Sequence, residues 1–178
     1  MHNIIFQRLQ KNFFEDYDIQ LIEAKSQLCS LVDPHARANV LGRLGMLMLA
    51  DDNTLWEGLR ILTEAYECSL DLGIPRSIAA NGIRRATAMQ YCGEHNMALL
   101  EFGSTLDYIS THKLRRLKDF ALQHKGKCLV EMGQLDAADD CFRNALRLRR
   151  SRKATALVCS TLSAIKAVKS MRLEVNQC

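Results

Sequence analysis

The sequence predicts an all-α protein whose helices form hairpins stacked as an α-solenoid, and three observations carry that expectation. One short pattern recurs at a spacing of 40 residues. Asn53, Gly93 and Gly133 begin it; five residues on come Gly58, Ala98 and Ala138; nine on come Leu62, Phe102 and Phe142; twelve on come Ala65, Thr105 and Ala145. A fixed period in this range marks stacked supersecondary units that cannot bury their apolar faces alone. Composition agrees: two prolines, nine glycines and 6% aromatics, with little β-branched alternation, argue for helices joined by short connections and against a sheet. Finally, each copy of the pattern sits where one helical stretch stops and the next starts.

Residues 1–33 are expected to form N-terminal helices, a candidate degenerate repeat. They hold a short apolar stretch from Ile4 to Leu9, then a helix over 14–31 with Tyr17, Ile19, Ile22, Ala24 and Leu28 at helical spacing. The first repeat spans 34–73. Asp33 caps a helix with Pro34 at its first position, where the missing N–H costs nothing, and that helix runs to about Ala50. Asp51, Asp52 and Asn53 break it, and Thr54 with Glu57 three residues later matches a capping box opening a helix over 54–71. The second repeat, 74–112, has helices over 75–91 and 95–110 about a turn at Cys92 and Gly93. The third, 113–152, has helices over 113–131 and 135–149 about Gly133. Glycine or asparagine at each turn suits the left-handed conformation that ends a helix. Residues 153–172 read as a capping helix with Leu157, Val158, Leu162, Ile165 and Val168 apolar, and 173–178 as a frayed tail.

At 178 residues the chain fits one domain able to bury a core without metal or disulfide staples. Its seven cysteines are odd in number and scattered, which fits reduced thiols. Met1 to Leu9 lacks a basic segment followed by a long apolar run, and no stretch reaches the length of a membrane span, so the expected location is cytoplasmic. Charge is uneven: residues 1–78 carry net −4 and residues 79–178 net +8. Two basic runs stand out, Lys113, Arg115, Arg116 and Lys118, then Arg147, Arg149, Arg150, Arg152 and Lys153. Either could attract an acidic peptide, a nucleic acid or an anionic lipid surface, or be a solvated helix end.

On these residues the chain resembles the tetratricopeptide repeat (TPR) superfamily, in a longer form with repeats of about 40 residues. The third unit matches best: Gly126 and Leu129, then Gly133, then Ala138, Phe142 and Ala145 follow the family's order of small, large apolar, glycine turn, small, large apolar, small. The second keeps Ala86, Met89, Gly93, Ala98 and Phe102; the first keeps Leu49, Gly58, Leu62 and Ala65, with Met46 and Asn53 in place of a small residue and a glycine. Small residues let antiparallel helices approach, and large ones fill the gaps between crossings. The resemblance implies a right-handed solenoid whose first helices line a concave groove, with groove candidates Val40, Arg43 and Leu47; Ile83, Arg84, Thr87 and Gln90; and Phe120, Gln123 and Lys127.

No nucleophile elbow, phosphate loop or paired-carboxylate site is present, so an enzyme is not expected. Cys92, His95, His124 and Cys128 are residue types that hold zinc, but one Cys-x-x-His without a second close pair reads as structural, and neither metal nor cofactor is expected. Gly42 and Gly45 lie within helical pattern and read as close helix approach. Trp56 reads as core, and Arg84 and Arg85 as groove cations suited to an acidic partner or as solvent-facing arginines. The leading expectation is therefore a non-enzymatic scaffold, adaptor, chaperone or regulator that holds a peptide or partner helix in the groove. The alternatives are a secretion-type chaperone for an export substrate and a regulatory module associated with nucleic acid, and a homodimer stays open. No membrane insertion is expected.

Overall fold

A computed structural model describes residues 8–175, and among them the chain is helical throughout, with no strand. Residues 1–7 and 176–178 lie outside the described residues, and with them most of the expected Ile4–Leu9 stretch and the end of the expected tail. The chain divides into two compact units, one of Arg8–Glu101 and one from Phe102 onward, the division falling inside a helix. The first unit holds α1 (Tyr17–Ser30), α2 (Pro34–Met48), α3 (Leu55–Asp71), α4 (Pro75–Tyr91) and the opening turns of α5 (His95–Thr111). The second holds the rest of α5, then α6 (Arg115–Glu131), α7 (Leu135–Ser151) and α8 (Thr155–Val175). Within each unit, helices adjacent in sequence pack together: α1 on α2, α2 on α3 and α3 on α4, then α6 on α7 and α7 on α8. No described helix is long and apolar enough to cross a membrane.

The helix boundaries reveal a half-period that the 40-residue pattern hides. Each of α3 to α7 is 17 residues long. The residues that end them with positive φ fall every 20 positions: Gly73 (62°), Gly93 (86°), Lys113 (56°), Gly133 (72°) and Lys153 (55°). From residue 93 on, the turns share one hydrogen-bond pattern. At residue 113, Lys113 N–H donates to Ser110 O (3.2 Å) and Leu114 N–H to Ile109 O (2.9 Å); at 153, Lys153 donates to Arg150 O (3.0 Å) and Ala154 to Arg149 O (3.1 Å). This double closure ties up the carbonyls that a helix end leaves unpaired. Lysine at two of these positions defeats a search for glycine, so the expected helix start at 113 moves to Arg115.

The first repeat departs from its expected turn. Asn53 is not left-handed; it lies in a short 3-10 turn, Asp52–Thr54, and its N–H donates to Asp51 Oδ1 (3.0 Å). The capping box does not form either. Thr54 Oγ1 donates to the carbonyls of Met48 (2.7 Å) and Asp51 (3.2 Å), closing the end of α2 rather than the start of α3. The Asp33 cap is present, with its carboxylate accepting from the N–H groups of His35 (3.4 Å) and Ala36 (2.9 Å). α8 continues to Val175, past the expected end of the capping helix at 172.

Glycines set the closest crossings. A Cβ at Gly45 on α2 would lie 2.5 Å from Leu62 Cγ and 3.2 Å from the Gly58 carbonyl, so α2 and α3 meet nearly backbone to backbone. On α6 the Gly126 position lies against the Phe142 ring, where a Cβ would come within 2.6 Å. Tyr17, Ala24, Leu41, Leu44, Leu47, Met48, Ile61 and Ala65 form one core across α1, α2 and α3. Trp56 is no part of a core. It is 62% exposed, because α3 buries the stripe Gly58, Ile61, Leu62, Ala65 and Ser69 and Trp56 falls off it.

Candidate functional site

In the first unit, the candidate residues lie on α2 and α4, which touch directly. Gly42 allows that contact: a Cβ there would stand 2.5 Å from Arg84 Nη1 and 2.8 Å from Asn81 Oδ1, so the guanidinium occupies the space a side chain would take. Arg84 Nη1 donates to Asn81 Oδ1 (2.8 Å), and Asn81 Nδ2 donates to Ser69 Oγ (2.8 Å) and the Ala65 carbonyl (3.2 Å). A polar chain thus runs from α3 through α4 to the surface of α2. Arg84 is half-buried, and among the described residues no carboxylate pairs with it. Burial holds its guanidinium pKa below the ordinary arginine value. Such a cation, partly stripped of water and answered only by a neutral amide, presents N–H donors from which a carboxylate can accept.

Around it, Val40 is half-buried and Arg43 exposed, with Arg43 Nη2 donating to Gln27 Oε1 on α1 (2.8 Å). Leu47, Ile83, Thr87 and Gln90 are buried. Leu47 belongs to the core with Tyr17, whose hydroxyl donates to the Leu47 carbonyl (3.2 Å), and Thr87 Oγ1 donates to the Ile83 carbonyl (2.9 Å). The carbonyls of Tyr91 (2.8 Å) and Gln90 (3.3 Å) accept from Arg8, which also lies over the Tyr91 ring. Arg85 faces elsewhere: its guanidinium stacks on Tyr66 (3.9 Å to the ring centre) and pairs with Glu101 (2.7 Å). Of the two adjacent arginines, only Arg84 keeps a charge without a counter-charge among the described residues. That distinction depends on side-chain partners and has no sequence signal.

In the second unit, Phe120, Gln123 and Lys127 share α6. Gln123 is buried; its Oε1 accepts from Arg149 Nη1 (3.0 Å) on α7 and from Thr161 Oγ1 (3.1 Å) on α8. Arg149 also donates to Asp119 Oδ2 (2.9 Å), and its guanidinium lies 5.6 Å from the centre of the Phe120 ring. Phe120 itself is 37% exposed. Burial pushes the Lys127 amine below the usual lysine value, more than Glu131 restores it. Beside it, burial first, then Lys127 and Arg149, push His124 down to about 4, so its imidazole is neutral near pH 7.

Cys92 and His95 belong to the first unit and His124 and Cys128 to the second; among the described residues no three of His, Cys, Asp and Glu gather as metal ligands. The described cysteines, Cys29, Cys68, Cys92, Cys128, Cys141 and Cys159, form no disulfide. Burial raises the thiol pKa of Cys68, Cys92 and Cys141, which makes them poor nucleophiles. No protein-family description matches the chain, and no curated protein matches it significantly.

Proposed function

We propose that the chain is a non-enzymatic, TPR-like right-handed α-solenoid that works as a protein- or peptide-binding scaffold, with its first helices as the binding surface. The observation that carries the reading is Arg84: a half-buried guanidinium on the α2–α4 face, seated over Gly42, with Asn81 as its acceptor and, among the described residues, no carboxylate paired with it. An acidic side chain or terminal carboxylate from a partner would complete it. Arg43 supplies a second cation on the same helix pair, and Val40 the apolar contact. The recurrence of left-handed residues every 20 positions from Gly73 to Lys153 supports the repeat part of the reading, since the turns from α3 onward follow one spacing while the α2–α3 turn departs from it. The 37% exposed Phe120 and the half-buried Lys127 on α6 are the counterparts in the third repeat, while Leu47, Ile83, Thr87 and Gln90 in the first unit, and Gln123 in the second, are buried side chains rather than contact residues.

The test is affinity capture of partners by the tagged chain, with captured proteins identified by mass spectrometry, comparing wild type with Arg84→Met/Arg43→Gln. Methionine keeps the packing over Gly42 and removes the charge. The expected result is loss of a captured partner with an acidic segment while the melting temperature stays within about 3 °C, the shift that ~1 kcal/mol gives at this size. A captured set identical to wild type refutes the assignment of this face.

A further inference from the structure

The two basic runs are separated by about thirty residues in sequence, yet the fold brings them together. α6 and α7 are antiparallel partners, so the start of α6 lies beside the end of α7. Arg152 at the end of α7 donates to the Arg116 carbonyl at the start of α6 (3.2 Å) and pairs with Asp119 (2.7 Å). Residues 113–119 and 147–153 together hold nine cations and a single carboxylate, Asp119, which is buried and already held by Arg149 and Arg152. Lys113, Arg115, Arg116, Arg147, Arg150 and Lys153 are exposed and carry no ion pair among the described residues. α8 also begins at this end, where the positive dipole ends of α6 and α8 are offset by the negative ends of α5 and α7, so the field comes from the side-chain cations.

Two of these cations are kept at a conformational cost. Lys113 and Lys153 occupy left-handed positions that the other turns of the series give to Gly73, Gly93 and Gly133. Left-handed backbone is strained for an L side chain and nearly free for glycine. Both departures from glycine fall at the basic end of the α6–α7 hairpin and place a charge there. The opposite end of that hairpin, at Gly133, uses glycine.

We infer that this end of the second unit binds the phosphate backbone of single-stranded nucleic acid. Three features favour that partner over an acidic peptide or an anionic membrane. The charge is mostly arginine, whose planar fork suits phosphate oxygens. No aliphatic side chain of the two runs is exposed to anchor a peptide or enter a bilayer. Exposed rings able to stack on bases lie next to the runs: His112, stacked on Tyr108 with centres 3.9 Å apart, and the 37% exposed Phe120. Binding of this kind draws on counterion release and needs no groove, so it does not depend on the α2–α4 face.

The test is fluorescence anisotropy of labelled 20-nucleotide single strands and 20-base-pair duplexes titrated with the full chain from 50 to 300 mM NaCl. With six phosphates neutralised, log K should fall with log salt at a slope of about −4 for the single strand. Lys113→Gly/Lys153→Gly is the decisive variant. It should raise the melting temperature, because strain is relieved, yet weaken binding roughly tenfold and shrink the slope by about 1.4. Arg147→Gln/Arg150→Gln should weaken binding comparably without turn chemistry. Lys166→Gln/Lys169→Gln, which removes the same charge from the far half of α8, should leave binding within about twofold. The inference is overturned if single strands do not bind at 50 mM salt, or if the α8 control weakens binding as much as the turn variant. Tighter binding of the duplex, polyglutamate or phosphatidylserine vesicles than of the single strand overturns it equally.

Discussion

Asp119→Ala is the sharpest test of what holds the second unit together. The Asp119 side chain is wholly buried and the Arg149 side chain 3% exposed; their atoms lie 2.9 Å apart, and Arg152 reaches the other carboxylate oxygen at 2.7 Å. Breaking a buried pair by removing one partner costs roughly 3–5 kcal/mol, because an uncompensated charge stays behind. Arg149 would keep three neutral acceptors, Gln123 Oε1, Thr161 Oγ1 and the Leu157 carbonyl, and the less buried Arg152 can turn to water. Those retained bonds place the loss at the low end, about 3 kcal/mol, a large share of the ~5–15 kcal/mol typical of a folded domain. Asp119→Leu with Arg149→Met removes both charges. Gln123 and Thr161 then still bond each other (3.1 Å), so the pair of changes should cost less than about 1 kcal/mol. Urea unfolding followed by circular dichroism, with unchanged slope m, reads both values. A loss below about 1 kcal/mol for Asp119→Ala, or a double variant as unstable as the sum of the singles, refutes the reasoning.

Two glycines should respond oppositely to alanine. Gly103→Ala meets nothing within 4 Å and lies inside α5, so gained helix propensity should stabilise by about 0.5–1 kcal/mol; Gly45→Ala drives a Cβ to within 2.5 Å of Leu62 and 3.2 Å of the Gly58 backbone, and overpacking of ~1–3 kcal/mol should outweigh the same gain. Thermal melts of the two variants rank them directly. His124, neutral in the fold down to about pH 4, gives an acid sensitivity of known sign. Its folded pKa lies below the ordinary 6.5, so the unfolded chain takes up the proton first, and stability present above pH 6.5 is lost as pH falls toward 4, by about 3 kcal/mol at most. The difference in urea midpoint between wild type and His124→Gln should therefore change across that interval and stay flat from pH 7 to 8.

Sequence pattern was sufficient for the all-helical class, the helix boundaries after Pro34 to within a few residues, and the close approaches at Gly45, Gly58 and Gly126, because each rests on local chemistry: a cap, a breaker, a missing side chain. It misplaced what depends on competition. Thr54 could cap α3 or close α2, and only the course of the chain decided for the latter. Trp56 looked like core because its neighbours are apolar, but two positions off the buried stripe is enough to put an indole in water. Lys113 and Lys153 hid a regular 20-residue spacing, since backbone conformation is not written in a side chain that merely tolerates it.

The candidate sites divide in the same way. Arginine at positions 84 and 85 reads identically in sequence, and tertiary contacts assign Arg85 to Glu101 and Tyr66 while leaving Arg84 over Gly42 without a carboxylate among the described residues. Two basic runs some thirty residues apart become one surface only because antiparallel packing returns the end of α7 to the start of α6. What the sequence determined by itself was the set of helices and the small residues that let them approach, which follow from spacing along one chain. Which charges are paired, which are buried and which are left facing water was decided by the tertiary structure, because a charge's energy is set by neighbours that lie far away in sequence and close in space.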